Sequence, residues 1–260
     1  MQRLIFAGFY RLKTSRLFWF FIAAETVWSA FLAWFLYCFG NIEENLFLMI
    51  FMPMFYLGVA EAVFCGFYIG TDYSDGTVRN KIAVGQTRAN VYLSNLVICS
   101  FAGAAALITH MAAFFGAGAF LIGSAVFPQV IFLKYICALA NVLTFASLFT
   151  MTSTLCSKTA SAAVANIFIS LGLIVAGVYA YAYYNQPAVF SDGSANPRYI
   201  GGAARAVLGF LEAVLPTSSA LEVMARNSYA VCLRIIFCSL AEAAIFSLIG
   251  LRAFKRKNIT

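Results

Sequence analysis

The chain has 260 residues, 63% hydrophobic and 10% charged, with a mean hydropathy of +0.87 and a formal net charge of +7. A water-soluble domain carries about 25% charged residues, so too few polar groups are present to cover a water-facing surface of this size, and a soluble enzyme is excluded. The excess of cations does not point to nucleic acid, because they sit beside apolar runs, as the flanks of membrane helices do, and not in one patch.

Taken in chain order, residues 1–16 are expected to form an interfacial helix. Ile5, Phe9 and Leu12 fall on one side of it, and Arg3 and Arg11 away from that side. The apolar run after Arg16 exceeds the roughly 7–15 residues of a signal-peptide core, so it is read as a retained first span. A bilayer crossing needs roughly 20 mostly apolar residues. Six segments meet that length: 17–39, 46–69, 91–123, 130–156, 160–184 and 229–254. The third is long enough to tilt or to project beyond the hydrocarbon.

Basic residues orient these spans. Arg3, Arg11, Lys13 and Arg16 precede the first; Arg79, Lys81 and Arg88 lie between the second and third; Lys158 follows the fourth; Arg252, Lys255, Arg256 and Lys257 follow the sixth. With six crossings all four groups share one side, which the positive-inside rule assigns to the cytoplasm, with both termini. Glu43, Glu44, the turn 124–128 and the segment after Tyr184 fall on the other side. Lys134 and Arg234, near outer helix ends, are expected to snorkel.

Two regions do not span. In 70–90, Asp75-Gly76-Thr77 reads as a turn and cap before a short helix, 77–84, which Gly85 stops in the left-handed conformation; Thr87 then caps the third span. Val78 and Ile82 share a face of that helix, and Arg79, Asn80 and Lys81 occupy the rest. In 185–228 a loop leads into a helix over 203–215. Pro216 breaks that helix, and Ser219 with Glu222 forms a capping box for a second short one. The fold expected is an all-α membrane protein of six transmembrane helices. It adds an N-terminal interfacial helix, a cytoplasmic helix between spans 2 and 3, and an external helical hairpin before span 6, all in one domain, 1–260.

Glu25, Glu61 and Glu242 lie inside predicted spans. A mid-membrane carboxylate costs roughly 2.5–3.5 kcal/mol, so each is expected to face protein or water, and the three are candidates for lining a substrate path. His110 reads as a hydrogen-bonding packing residue. Asn141, Thr144, Ser147, Ser153 and Asn166 read as polar contacts between helices. Gly116 and Gly118, or Gly172 and Gly177, are candidates for close helix approach. The seven cysteines form no C-x-x-C pair and read as small buried hydrophobes; no metal site and no catalytic constellation are expected.

The run from Asp72 through Asp75-Gly76-Thr77, Ile82, Gly85 and Arg88 to Asn95 resembles the segment between spans two and three of type-2 ABC exporter permeases. That pattern has an acidic residue, Gly-Thr, a hydrophobe, a helix breaker, an arginine and often a lysine. Asp72 or Asp75 matches the acid, Gly76-Thr77 the pair, Ile82 the hydrophobe and Arg88 the arginine. Gly85 stands where proline is frequent, and Asn95 where lysine is. The layout is similar too, including a basic first helix with Phe9-Tyr10-Arg11-Leu12.

The resemblance implies that the short helix is a coupling helix. Its ATPase-coupling residues would be Asp72, Asp75, Gly76, Thr77, Val78, Arg79, Lys81, Ile82 and Arg88. Exposed Val78 and Ile82 would enter a cleft on a partner, and Arg79, Lys81 and Arg88 would meet its acidic rim. No G-x-x-x-x-G-K-[ST] occurs, so ATP and Mg would be bound by a separate P-loop ATPase subunit, two copies per complex, and this chain would carry no cofactor. A second permease subunit, same or homologous, would complete a complex in a bacterial cell membrane. It would export a peptide, lipid-like or other amphiphilic substrate. Two other readings stay open: an ATP-independent channel or secondary transporter, and a membrane immunity or scaffold protein that binds a peptide.

Overall fold

The computed structural model describes residues 1–39, 51–121 and 130–258; the start of the second expected span, Glu43, Glu44 and the turn 124–128 lie outside them. Among the described residues the chain is all-helical. The ten helices among these residues are α1 (Gln2–Thr14), α2 (Arg16–Phe39), α3 (Pro53–Ser74), α4 (Thr77–Ala83), α5 (Arg88–Leu121), α6 (Val130–Leu155), α7 (Thr159–Tyr184), α8 (Gly202–Val214), α9 (Pro216–Ala225) and α10 (Tyr229–Arg256). Six of them, α2, α3, α5, α6, α7 and α10, are long and apolar enough to cross a bilayer, which makes this a multi-pass membrane protein. Helix is the form these runs take because, in hydrocarbon, each backbone N–H and C=O must find its partner within the segment.

α3 and α6 form the interior: 61% of each apolar window is buried, against 28% for α7 and 17% for α10. α6 packs on α10, α3 and α5; α3 packs on α7; α2 and α1 both lie along α5. Side chains bridge several of these contacts. Asn166 of α7 donates to the Ala62 carbonyl of α3 at 3.2 Å and to Ser153 Oγ of α6 at 2.8 Å. Thr144 of α6 donates to the Ser239 carbonyl of α10 at 2.9 Å, and Asn141 to the Pro216 carbonyl at 2.8 Å. Ser147 donates within its own helix, to the Thr144 carbonyl, and makes no side-chain bond to another helix among the described residues.

Of the glycines expected to allow close helix approach, Gly177 does so: a Cβ there would run into Thr217 Oγ1 and lie 2.8 Å from the Ser218 backbone nitrogen of α9, whereas Gly116 and Gly172 have open space where a Cβ would stand. A second tight crossing, not expected, is α3 against α7. A Cβ on Gly66 would lie 2.5 Å from Ala163 Cα, and one on Gly70 2.7 Å from Thr159 Cα. Gly66-Phe-Tyr-Ile-Gly70 is the G-x-x-x-G spacing that lets helix backbones meet in a membrane.

At one end of the bundle α8 and α9 meet at 85°, with Pro216 in the first turn of α9 and Leu215 extended between them. The expected Ser219–Glu222 capping box does not form. α9 begins earlier, at Pro216, so Ser219 lies buried within its first turn. Glu222, fully buried, instead pairs with Arg226 at 2.9 Å and with Arg234 of α10. Arg234, its side chain 39% exposed, is therefore an ion-pair partner that also keeps solvent access. Lys134, expected to snorkel, is instead buried, its Nζ 5.5 Å from the centroid of the Phe51 ring, a π partner within the bundle.

Candidate functional site

The opposite end gathers α1, the last turn of α3, α4, the start of α5 and residues 254–258. Its centre is Asp72, whose side chain is 3% exposed. Arg11 of α1 places Nη1 on Asp72 Oδ1, donates from Nη2 to the Tyr68 carbonyl at 2.8 Å and to Thr71 Oγ1 at 2.6 Å, and stacks 4.2 Å from the Tyr68 ring centroid. Lys81 of α4 donates to the other oxygen, Oδ2, at 2.7 Å. Tyr68 in turn donates to the Gly8 carbonyl at 3.1 Å. One carboxylate thus joins three helices. Arg11 does not point away from the packed face of α1, as expected; the carboxylate at the end of α3 draws it in, and Leu12 beside it is buried.

α4 is bracketed by glycines in the left-handed region, Gly76 at φ 68° and Gly85 at φ 89°, a conformation that costs a Cβ-bearing residue energy but not glycine. The Thr77 helix start, the Gly85 stop and the Thr87 cap, which accepts from the Asn90 N–H at 3.2 Å, fall as expected. The facing of the helix does not. Val78 is 1% exposed and packs with Val91, Tyr92 and Phe254, and Ile82 is half-buried against the same cluster. The exposed residues are Asp75, Arg79, Asn80, Ala83 and Val84. The sequence offered the right stripe, but α5 and α10 of the same chain fill the groove.

Arg88 is also spent internally: its Nη1 donates to the carbonyls of Phe254, Lys255 and Lys257 at 3.3, 3.1 and 2.5 Å. It satisfies the last carbonyls of α10, where a cation is favoured. Lys257 reaches the end of α6, donating to the Thr154 and Cys156 carbonyls at 3.0 and 2.7 Å, and lies 4.2 Å from the Tyr73 ring centroid. Burial pulls its ammonium below the ordinary lysine range, and Cys156 acts in the other direction. Of the nine residues singled out here, the structure joins Asp72 to Lys81, turns Val78 and Ile82 inward, ties Arg88 to α10, and leaves Asp75 and Arg79 in the open.

Two clefts flank this assembly. One, about 270 Å³, runs between Tyr73, Ser74, Arg79, Ser157, Lys257 and Asn258. The other, about 190 Å³, lies under α1.

The three intramembrane glutamates sit apart from this end. Glu25 accepts from Tyr56 Oη at 3.2 Å, and one turn along α2 Ser29 Oγ meets His110 Nδ1 at 2.5 Å, so α2, α3 and α5 share one polar seam. Glu61 is wholly buried. Neither of its oxygens has a hydrogen-bond partner among the described residues, and its carboxyl lies against Gly103, where a Cβ would stand 2.7 Å from Oε1. Glu242 is half-buried on α10. No hydrogen bond joins any two of the three among the described residues.

Comparison with protein-family models and with curated proteins finds no match.

Proposed function

We propose that the chain is the transmembrane subunit of an ATP-driven exporter, with α4 as the element on which a separate ATPase acts. The observation that carries this reading is the two-sidedness of α4. Val78 and Lys81 hold its inner face to the rest of the chain, while Arg79 and Val84 stand exposed on the other side, at the basic end of the bundle. A short helix fastened on one side is a lever. A push on its free face passes to α3 through Lys81–Asp72, to α1 through Asp72–Arg11, and to α10 through Val78 and Phe254.

On this reading the basic end is cytoplasmic, in a bacterial cell membrane. The partner is a P-loop ATPase that binds ATP and Mg, in two copies. A second permease subunit, same or homologous, lies alongside, and nucleotide-driven closure rocks the two membrane halves. The contact residues are Arg79 and Val84, not Val78. The substrate is a peptide, lipid-like molecule or other amphiphile, and Glu25, Glu61 and Glu242 are candidates for its path.

The test is mild-detergent affinity purification from the native host, wild type beside Arg79→Glu. Co-purification of a P-loop ATPase with the wild type and its loss from the variant are expected. Absence of any nucleotide-hydrolysing companion from an intact assembly removes the proposal and leaves a channel, secondary transporter or peptide-binding scaffold.

A further inference from the structure

The cleft under α1 has the chemistry of a phospholipid seat. It is about 190 Å³ and its lining is mixed: Leu4, Ala7 and Ile98 supply aliphatic surface, and Arg11, Lys81, Asp72 and Asn95 supply charged and polar groups. Three charged groups meet there. Two are cations and one an anion, so the cluster carries a surplus of one positive charge (+2 − 1 = +1). Asp72 is almost sealed, but the side chains of Arg11 and Lys81 remain 35% and 24% exposed. The charged groups that line the cleft are thus two cations with solvent access and one carboxylate, Asp72, whose two oxygens are already engaged by Arg11 and Lys81.

The setting fits the same ligand. On the outer face of α1, Phe6 and Tyr10, one turn apart, are 74% and 73% exposed, as for a helix that lies in acyl chains and headgroups. Its inner face is seated on α5 through Gly8 against Ile98 and the Phe9–Phe101 ring contact. The cleft thus lies beside the helix that carries these exposed aromatics, with both cations and aliphatic side chains in its lining.

We infer that this cleft binds one anionic phospholipid, its phosphate meeting Arg11 and Lys81 and the first methylenes of an acyl chain running past Leu4, Ala7 and Ile98. The ligand completes the joint between α1, α3 and α4 and ties it to membrane composition. The inference does not depend on an ATPase partner.

The test is a thermal shift of the purified full chain with three probes: dihexanoyl phosphatidylglycerol, dihexanoyl phosphatidylcholine and inorganic phosphate. Phosphatidylglycerol is expected to raise the melting temperature saturably and to bind about fivefold more weakly to Lys81→Gln, the effect of one cation on an anionic headgroup. Lys81→Arg is expected to restore it. Ala7→Trp, which fills the apolar part without touching a charge, is expected to abolish it; Ala7→Leu carries this arm if the tryptophan variant does not fold. A response to phosphatidylcholine as strong as to phosphatidylglycerol, an equal response to inorganic phosphate, or an undiminished response in the folded Ala7 variant overturns the inference.

Discussion

Lys81 Nζ stands 2.7 Å from Asp72 Oδ2, nine residues earlier in the chain, and this pair closes the turn between α3 and α4. With Arg11 on the other oxygen, Asp72 is the point through which α1, α3 and α4 hold their mutual positions. Removing one member of a buried ion pair leaves the remaining charges without compensation.

Asp72→Asn is therefore expected to destabilise the folded protein. A sealed pair broken in this way costs about 3–5 kcal/mol, but both cations here keep solvent access, so the expected loss is about 2 kcal/mol. A detergent melting curve measures it. An unchanged melting temperature shows that Asp72 does not organise this end.

Val78 and Arg79 are neighbours with opposite surroundings, and their variants should separate accordingly. Val78→Asp places a carboxylate against Val91, Tyr92 and Phe254 and is expected to cost several kcal/mol and release α4. Arg79→Glu leaves that contact untouched and is expected to melt with the wild type while losing the partner. Protease susceptibility of residues 75–88 reports the first effect, and co-purification reports the second. Equal protease sensitivity of the two variants contradicts the assigned facing of α4.

This facing marks the limit of what the sequence made legible. Six apolar runs, the glycine-bounded short helix and the Thr87 cap follow from local rules of length, φ and capping and are present among the described residues, although α3, the second span, continues to Ser74, past the expected end at 69, and so carries Asp72. Which face of α4 is free does not, because Val78 and Ile82 look alike whether they serve a partner or their own chain. That Phe254, far along the sequence, fills the groove is a tertiary fact. The same holds for Arg11, Lys134 and Arg234: their types signal a need for compensation, but the groups that meet them lie on other elements, whereas Glu222 has one partner on another helix, Arg234, and one four residues on, Arg226, at a spacing the sequence shows. Gly66 and Gly70 were within reach, since their four-residue spacing is visible in the chain.

Those two glycines give the next prediction. Gly66→Val pushes two methyl groups into the Ala163 backbone, which cannot yield as a side chain can, so α3 and α7 must part. Overpacking of this kind costs about 1–3 kcal/mol. Gly172→Val, in open space, is expected to melt with the wild type. Equal melting temperatures for the two variants contradict the α3–α7 crossing.

Glu61 contributes an effect of opposite sign. Both of its oxygens are buried without a hydrogen bond among the described residues. Glu61→Met keeps the length of the side chain and removes the polar group, so it is expected to stabilise the protein by about 1–2 kcal/mol. If Glu61 also belongs to the substrate path, the same variant loses transport in vesicles while melting higher. A lower melting temperature shows that Glu61 has a partner in the assembled protein.

The lever assigned to α4 is tested most directly by photo-crosslinking in intact cells from residues 79 and 84, with residue 6 on the outer face of α1 as control. A crosslink from both α4 positions to one soluble P-loop ATPase, absent from position 6, is the predicted result. Contact of α4 with no nucleotide-hydrolysing protein, or labelling of residues 79 and 84 by a membrane-impermeant reagent from outside the cell, contradicts it.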